Sequence, residues 1–204
     1  VYKRQELDAA FKELVLTLPT EAYIAEQLDV VDPQRIHDVR ETMRAELAQQ
    51  LHDDWAWAYD THHHNGAYQP DPRSTGRRAL SGLALAMLCL DARRTGDAVW
   101  PGRTAQRFKE AHNMTDRFNA LSALVHSGHA LAHDALQRIH QQFANEALVM
   151  DKWFMLQASA PDREGDVLPV VRQLMMHPDF HLRNPNRARS LIFSFCNGLS
   201  LIHI

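Results

Sequence analysis

Apolar residues along this chain recur every three or four positions. Ile36, Val39, Met43, Leu47 and Leu51 make one such stripe, the spacing at which side chains share a helix face. Asp32-Pro33 stands in front of it, an N-cap acceptor followed by proline at the first helical position. The same period over 6–17, 20–29, 73–95, 103–112, 115–127, 130–147, 151–159, 166–176 and 186–196 predicts further helices. No segment alternates apolar and polar positions long enough to predict a strand. The pattern is all-α. Connections are short, as between antiparallel neighbours. The longest, Asn65 to Pro72, carries Gly66, Pro70 and Pro72 and reads as a loop inside one helical domain spanning 1–204.

A weak echo runs through the helices. Arg78-Ala79-Leu80-Ser81-Gly82-Leu83 matches Asn119-Ala120-Leu121-Ser122-Ala123-Leu124 after 41 residues, and Leu156 to Ser159 reads as a further copy. That displacement suits two-helix repeats of the HEAT or armadillo kind. The expected fold is therefore paired antiparallel helices in a superhelical solenoid.

Composition narrows the class. Of 204 residues 45% are hydrophobic and 23% charged, an ordinary globular balance that excludes disorder, collagen-like repeats and a disulfide scaffold. The longest apolar run, Leu83 to Leu90, has eight residues, against the roughly 20 needed to span a bilayer. Net charge is −3, with −7 in residues 1–60 and +4 in the rest. Neither part is basic enough for a nucleic-acid binder. Cys89 and Cys196, each beside apolar residues, read as small core residues of a reducing compartment, which places the chain in the cytoplasm. A start at Val1 and an end straight after an apolar stretch suggest a piece of a longer protein.

Candidate chemistry is sparse. His129 and His133 have the i, i+4 spacing of a helical zinc pair, but Ala130 stands where a metalloprotease carries its general-base Glu. His126 and His140 would extend the stripe, with Ser127-Gly128 breaking the helix between them. His62, His63 and His64 follow a helix end, where the macrodipole favours them. No nucleophile elbow, phosphate loop or dinucleotide fingerprint is present. No catalytic residue and no metal ligand is expected here. The stretch Arg183-Asn184-Pro185-Asn186-Arg187-Ala188-Arg189-Ser190 is more specific, a turn running into a helix with Asn184 as N-cap and Pro185 at the first position. Arg187 and Arg189 point about 200° apart on it. Two uses stay open for such an arginine, a clamp on a peptide carboxylate or a tie between helices.

Three stretches carry a resemblance: Glu110 to Asp116, Val149 to Ala158, and Asn184 to Leu191. In that order they resemble the C-terminal domain of the bacterial aminopeptidase N family, zinc-dependent alanyl aminopeptidases of the gluzincin class. Weaker similarity reaches back to Leu18–Glu21 and Val31–Pro33, so nearly the whole chain is covered. The resemblance implies an all-helical superhelical cap over a peptide-admitting chamber. Zinc would belong to the full-length enzyme and not to this piece, because the His-Glu-x-x-His motif lies in an upstream catalytic domain and does not occur in these residues. The implied partners are a peptide substrate and that upstream domain. Arg189 is the implied substrate contact, with Arg187 a weaker one. Asp116, Trp153 and Phe154 read as structural. Residues 197–204 depart from the family pattern. A stand-alone helical scaffold that binds a protein or peptide is the alternative reading.

Overall fold

The computed structural model describes residues 7–163 and 165–197. The tail from residue 198, where the family resemblance fails, lies outside the described residues. The described residues are 73% helical and contain no strand. They gather into two compact units, one of residues 1–19 and 40–132, the other of 20–39 and 133–204.

The first unit is built around α5 (Pro72–Thr95), which packs against α1 (Ala9–Leu16), α4 (His52–His62), α6 (Val99–Glu110) and α7 (Met114–Ser127). Local chemistry fixes the ends of its long helices. The Asp71 carboxylate accepts from Ser74 N and Pro72 occupies the first turn, while Gly96 closes the helix at φ 75°, a conformation that costs glycine little. Asn113 caps α7, and Gly128 ends it where the sequence predicted a break. Leu80, Leu88, Ala120, Leu121 and Leu124 are buried where α5 meets α7.

Two glycines let α5 approach its neighbours. A Cβ at Gly76 would stand 2.7 Å from Ala10 N of α1, and one at Gly82 would stand 2.5 Å from the Asn119 amide of α7. Asn119 Nδ2 donates to the Arg78 carbonyl at 3.3 Å. The two echoing segments are thus packed face to face on adjacent helices, Leu80 and Leu121 both buried.

The second unit holds α2 (Glu21–Glu26), α9 (Ala147–Ala158), α10 (Val167–Met175), α11 (Pro185–Ala188) and most of α8 (Leu131–Phe143). α9 is its centre, touching α10, α11, the π-helical turn Arg189–Phe193 and α12 (Ser194–Cys196). Met150, Phe154, Ala158, Val171 and Leu191 form its core with Ile139. Trp153 and Phe154 are buried, as expected of structural residues, with Trp153 Nε1 donating to the Leu136 carbonyl at 2.9 Å.

The apolar stripe of α3 (Pro33–Gln50) is partly covered: Ile36 is buried, but Val39 and Met43 are exposed. Three expectations need correction. α6 starts at Val99, not 103, because the Asp97 carboxylate accepts from Val99 N and Trp100 N and so tolerates Pro101-Gly102 in the first turns. The stretch 130–147 holds a helix boundary, with α8 ending at Phe143 and α9 starting at Ala147. Cys196 is exposed, whereas Cys89 is buried and hydrogen-bonded to Thr104 at 3.2 Å.

Candidate functional site

The segment from Asn184 to Phe193 carries both sequence-derived arginines. Asn184 Oδ1 accepts from Asn186 N at 3.1 Å and Arg187 N at 3.2 Å, and Pro185 sets the first helical φ. This cap fixes where Arg187 points. Its Nε donates to Asp151 Oδ1 at 2.7 Å, Nη1 donates to the Asp179 carbonyl at 2.7 Å, and the guanidinium lies 4.9 Å over the Phe154 ring. Arg187 is buried, and so tied it serves the second use open to it, a link between helices.

Arg189 has the opposite environment. It is exposed, and its guanidinium makes no hydrogen bond or ion pair among the described residues. It also begins the π-helical turn, in which Ser194 N donates to the Arg189 carbonyl across five residues. Such turns insert a residue into the helical count and often mark functional positions. Leu191, fully buried in the same turn, holds it to the core. Just before the cap, Met175, Phe180, His181, Leu182, Arg183 and Asn184 line an open depression of about 760 Å³.

A second buried arginine escaped the sequence reading. Arg107, on α6, donates to Asp116 Oδ2 at 2.8 Å, to the His64 carbonyl at 2.9 Å and to Asn65 Oδ1. Asn113 Nδ2 reaches the same Asp116 oxygen at 2.7 Å. Asp116 is therefore structural, as expected, and it anchors the loop after α4. Beside it a small cavity of about 80 Å³ is lined by His62, His64, Tyr68, Arg77 and Arg78, among others. The resemblance to known sequence around Asp116 was the available signal; nothing local pointed to Arg107.

Acid–base chemistry is muted. Burial pushes the Cys89 thiol up to about 11, which leaves it unreactive at neutral pH. Burial also raises the Tyr59 hydroxyl, against the opposing charges of Arg107 and Arg103. It lowers His62, with the charges of Lys12 and Arg77 adding to the effect, and lowers His177. His126, His129 and His133 form no group able to hold a metal among the described residues, and α8 begins only at Leu131, so His129 lies outside it. His140 instead meets His177 and Asp179.

Comparison with known proteins places this architecture. A family model described as a domain of unknown function (DUF3458_C) made of ARM repeats matches residues 1–201. The chain belongs to this family. It is 36% identical to aminopeptidase N of Haemophilus influenzae over 97% of its own length and 22% of that protein's. Against aminopeptidase N of Escherichia coli the identity is 35%, over 95% of this chain and 22% of the relative. The chain thus spans about a fifth of the relatives it matches and is homologous to the C-terminal part of aminopeptidase N, a helical domain without the catalytic region. Among solved structures, Legionella pneumophila aminopeptidase A in complex with aspartic acid matches at a TM-score of 0.79 and 26% identity, covering 95% of this chain and 24% of that one. The repeat description agrees with the paired helices read from the sequence. No helix among the described residues is long and apolar enough to cross a membrane.

Proposed function

We propose that this chain serves a zinc metallo-aminopeptidase as its helical chamber wall, restricting access to short peptides and offering one cationic contact. The whole enzyme would remove N-terminal residues from peptides. Its metal, water activation and N-terminal recognition would come from a catalytic domain of the same polypeptide, the partner of this one. Zinc would polarise the scissile carbonyl and generate the attacking hydroxide there. Nothing in these residues needs to take part in that step, and the isolated chain should hydrolyse no alanyl anilide. The proposed compartment is the cytoplasm, in keeping with Cys89 and Cys196 as free thiols.

The observation that carries the reading is the contrast at one helix start. Arg187 spends its donors inside the protein, while Arg189, two residues on, presents an unpaired guanidinium on a π-turn. An exposed Arg fork suits a peptide carboxylate. Arg189 would hold the C-terminal side of a short substrate, with Arg187 positioning the helix that bears it.

The test is Arg189→Ala in the full-length enzyme, assayed on a tripeptide and on its C-terminally amidated form. A hydrogen bond to a charged group contributes about 1.5–3 kcal/mol, so KM for the free acid should rise roughly ten- to a hundredfold. The amidated peptide and alanyl anilide should be unaffected. An equal change on all three substrates, or none, would remove Arg189 from the substrate path.

A further inference from the structure

The turn between α10 and α11 brings three metal-ligating side chains together on the second unit. His140 Nε2 of α8 lies 2.9 Å from Asp179 Oδ2, and His177 Nδ1 lies 3.7 Å from the same oxygen. All three donor atoms fall within 4.8 Å of one another. We propose that His140, His177 and Asp179 bind a divalent transition-metal ion of the zinc class, which clamps the 177–181 turn to α8.

The donor set and its spacing carry this. Two imidazoles and a carboxylate are the ligands that zinc takes, at about 2.0–2.2 Å, and on a tetrahedron such donors stand roughly 3.4 Å apart. The observed 2.9 and 3.7 Å bracket that edge. Side-chain rotations at the donor atoms, all within 4.8 Å of one another, would draw them onto that edge. Without metal, one proton bridges His140 and Asp179; with metal, the neutral His140 carries its proton on Nδ1 and offers Nε2. His177 Nδ1 already presents its lone pair, since it accepts from Asp179 N at 3.2 Å. The ion would take that lone pair in place of the weak backbone contact. Asp179 is more than a third exposed, which leaves a side open for water as the fourth ligand.

The surroundings hold the donors in place. His177 is walled by Trp153 at 5.5 Å and Phe154 at 5.7 Å between ring centroids, and His140 packs on Trp153 at 5.3 Å. Pro178 stiffens the link between His177 and Asp179. The Asp179 carbonyl is fixed by Arg187, the outer support that metal sites need. The nearby positive charge of Arg187 is already neutralised by Asp151. The proposal rests on these three side chains alone and does not depend on the proposed function.

The experiment is a zinc titration of this chain by calorimetry, alongside the variants His140→Gln and Asp179→Asn and a control, His129→Gln with His133→Gln. One zinc per chain is expected, weakened at least about tenfold by either ligand variant and unchanged in the control. Imidazole proton signals followed by NMR in the unaltered chain give a readout that no folding defect can confuse: zinc should move those of His140 and His177. Absence of binding overturns the proposal. So does binding that survives both ligand variants, or imidazole shifts confined to His62, His63 and His64.

Discussion

Each compact unit contains one buried arginine paired with an aspartate and bonded to a backbone carbonyl, yet the two arrangements differ in what they secure. Arg107 reaches Asp116 nine residues on and then spans to His64 and Asn65, so it fixes a loop with no regular hydrogen bonding of its own. Arg187 joins Asp151, 36 residues away, to the carbonyl of Asp179 and lies on the Phe154 ring. The first replaces missing secondary structure, and the second joins helices that already exist. When Arg107 is lost the loop keeps only contacts such as Arg78 with the Gln69 carbonyl and the Tyr68 ring, whereas a helix pair keeps its apolar contacts.

That difference orders the consequences of mutation. Arg107→Met strands a buried Asp116, and breaking a buried pair this way costs about 3–5 kcal/mol. Urea denaturation should show it, together with protease cutting near residues 63–70. Arg187→Met should cost less, about 1.5–3 kcal/mol for charged hydrogen bonds lost while Met still covers Phe154. Equal losses for the two variants would break the comparison.

Closer packing gives a smaller effect. Gly82→Ala puts a methyl against Asn119; overpacking costs about 1–3 kcal/mol, and better helix propensity returns about 1 kcal/mol. The net is a loss of roughly 1 kcal/mol, which Asn119→Ala should rescue in the double variant. If the two changes simply add, α5 and α7 are not in the contact described.

The smallest effect is electrostatic. Burial, Lys12 and Arg77 hold His62 below its ordinary value near 6.5, so the unfolded chain takes up this proton more readily than the folded one. The neutral His62 therefore supports full stability above about 6.5, and part is lost as pH falls from there towards the lower folded value. His62→Gln should flatten the slope of denaturation free energy between about pH 5 and 6.5. The ring is only half-buried, which keeps the change small.

Much of the first unit was legible because its ends are written locally. Asp71-Pro72, Gly96, Asn113 and Gly128 each act within a turn of where they stand. The break between α3 and α4 at Leu51 was not, since neither Gly nor Pro marks it. Nor was the α8–α9 boundary, where Ala144-Asn145-Glu146 contains no strong breaker. At the candidate site, helical geometry separated Arg187 from Arg189 but not inside from outside. That depends on Asp151 and Phe154, which come near only through packing. The meeting of His140 with His177 is equally non-local, 37 residues apart on different elements.

The π-turn at Arg189–Phe193 gives this helix an adjustable phase. Its extra residue advances everything downstream by about 100° relative to an uninterrupted α-helix. Deleting one position inside it would restore the ordinary pitch and leave the backbone continuous, a change most helices absorb badly. Such a deletion would turn Ser194–Cys196 by about 100° relative to Arg187 and Arg189, while Leu191 competes to stay in the core. The angle between the face that carries Arg189 and the helix that follows it is therefore encoded in the length of one turn.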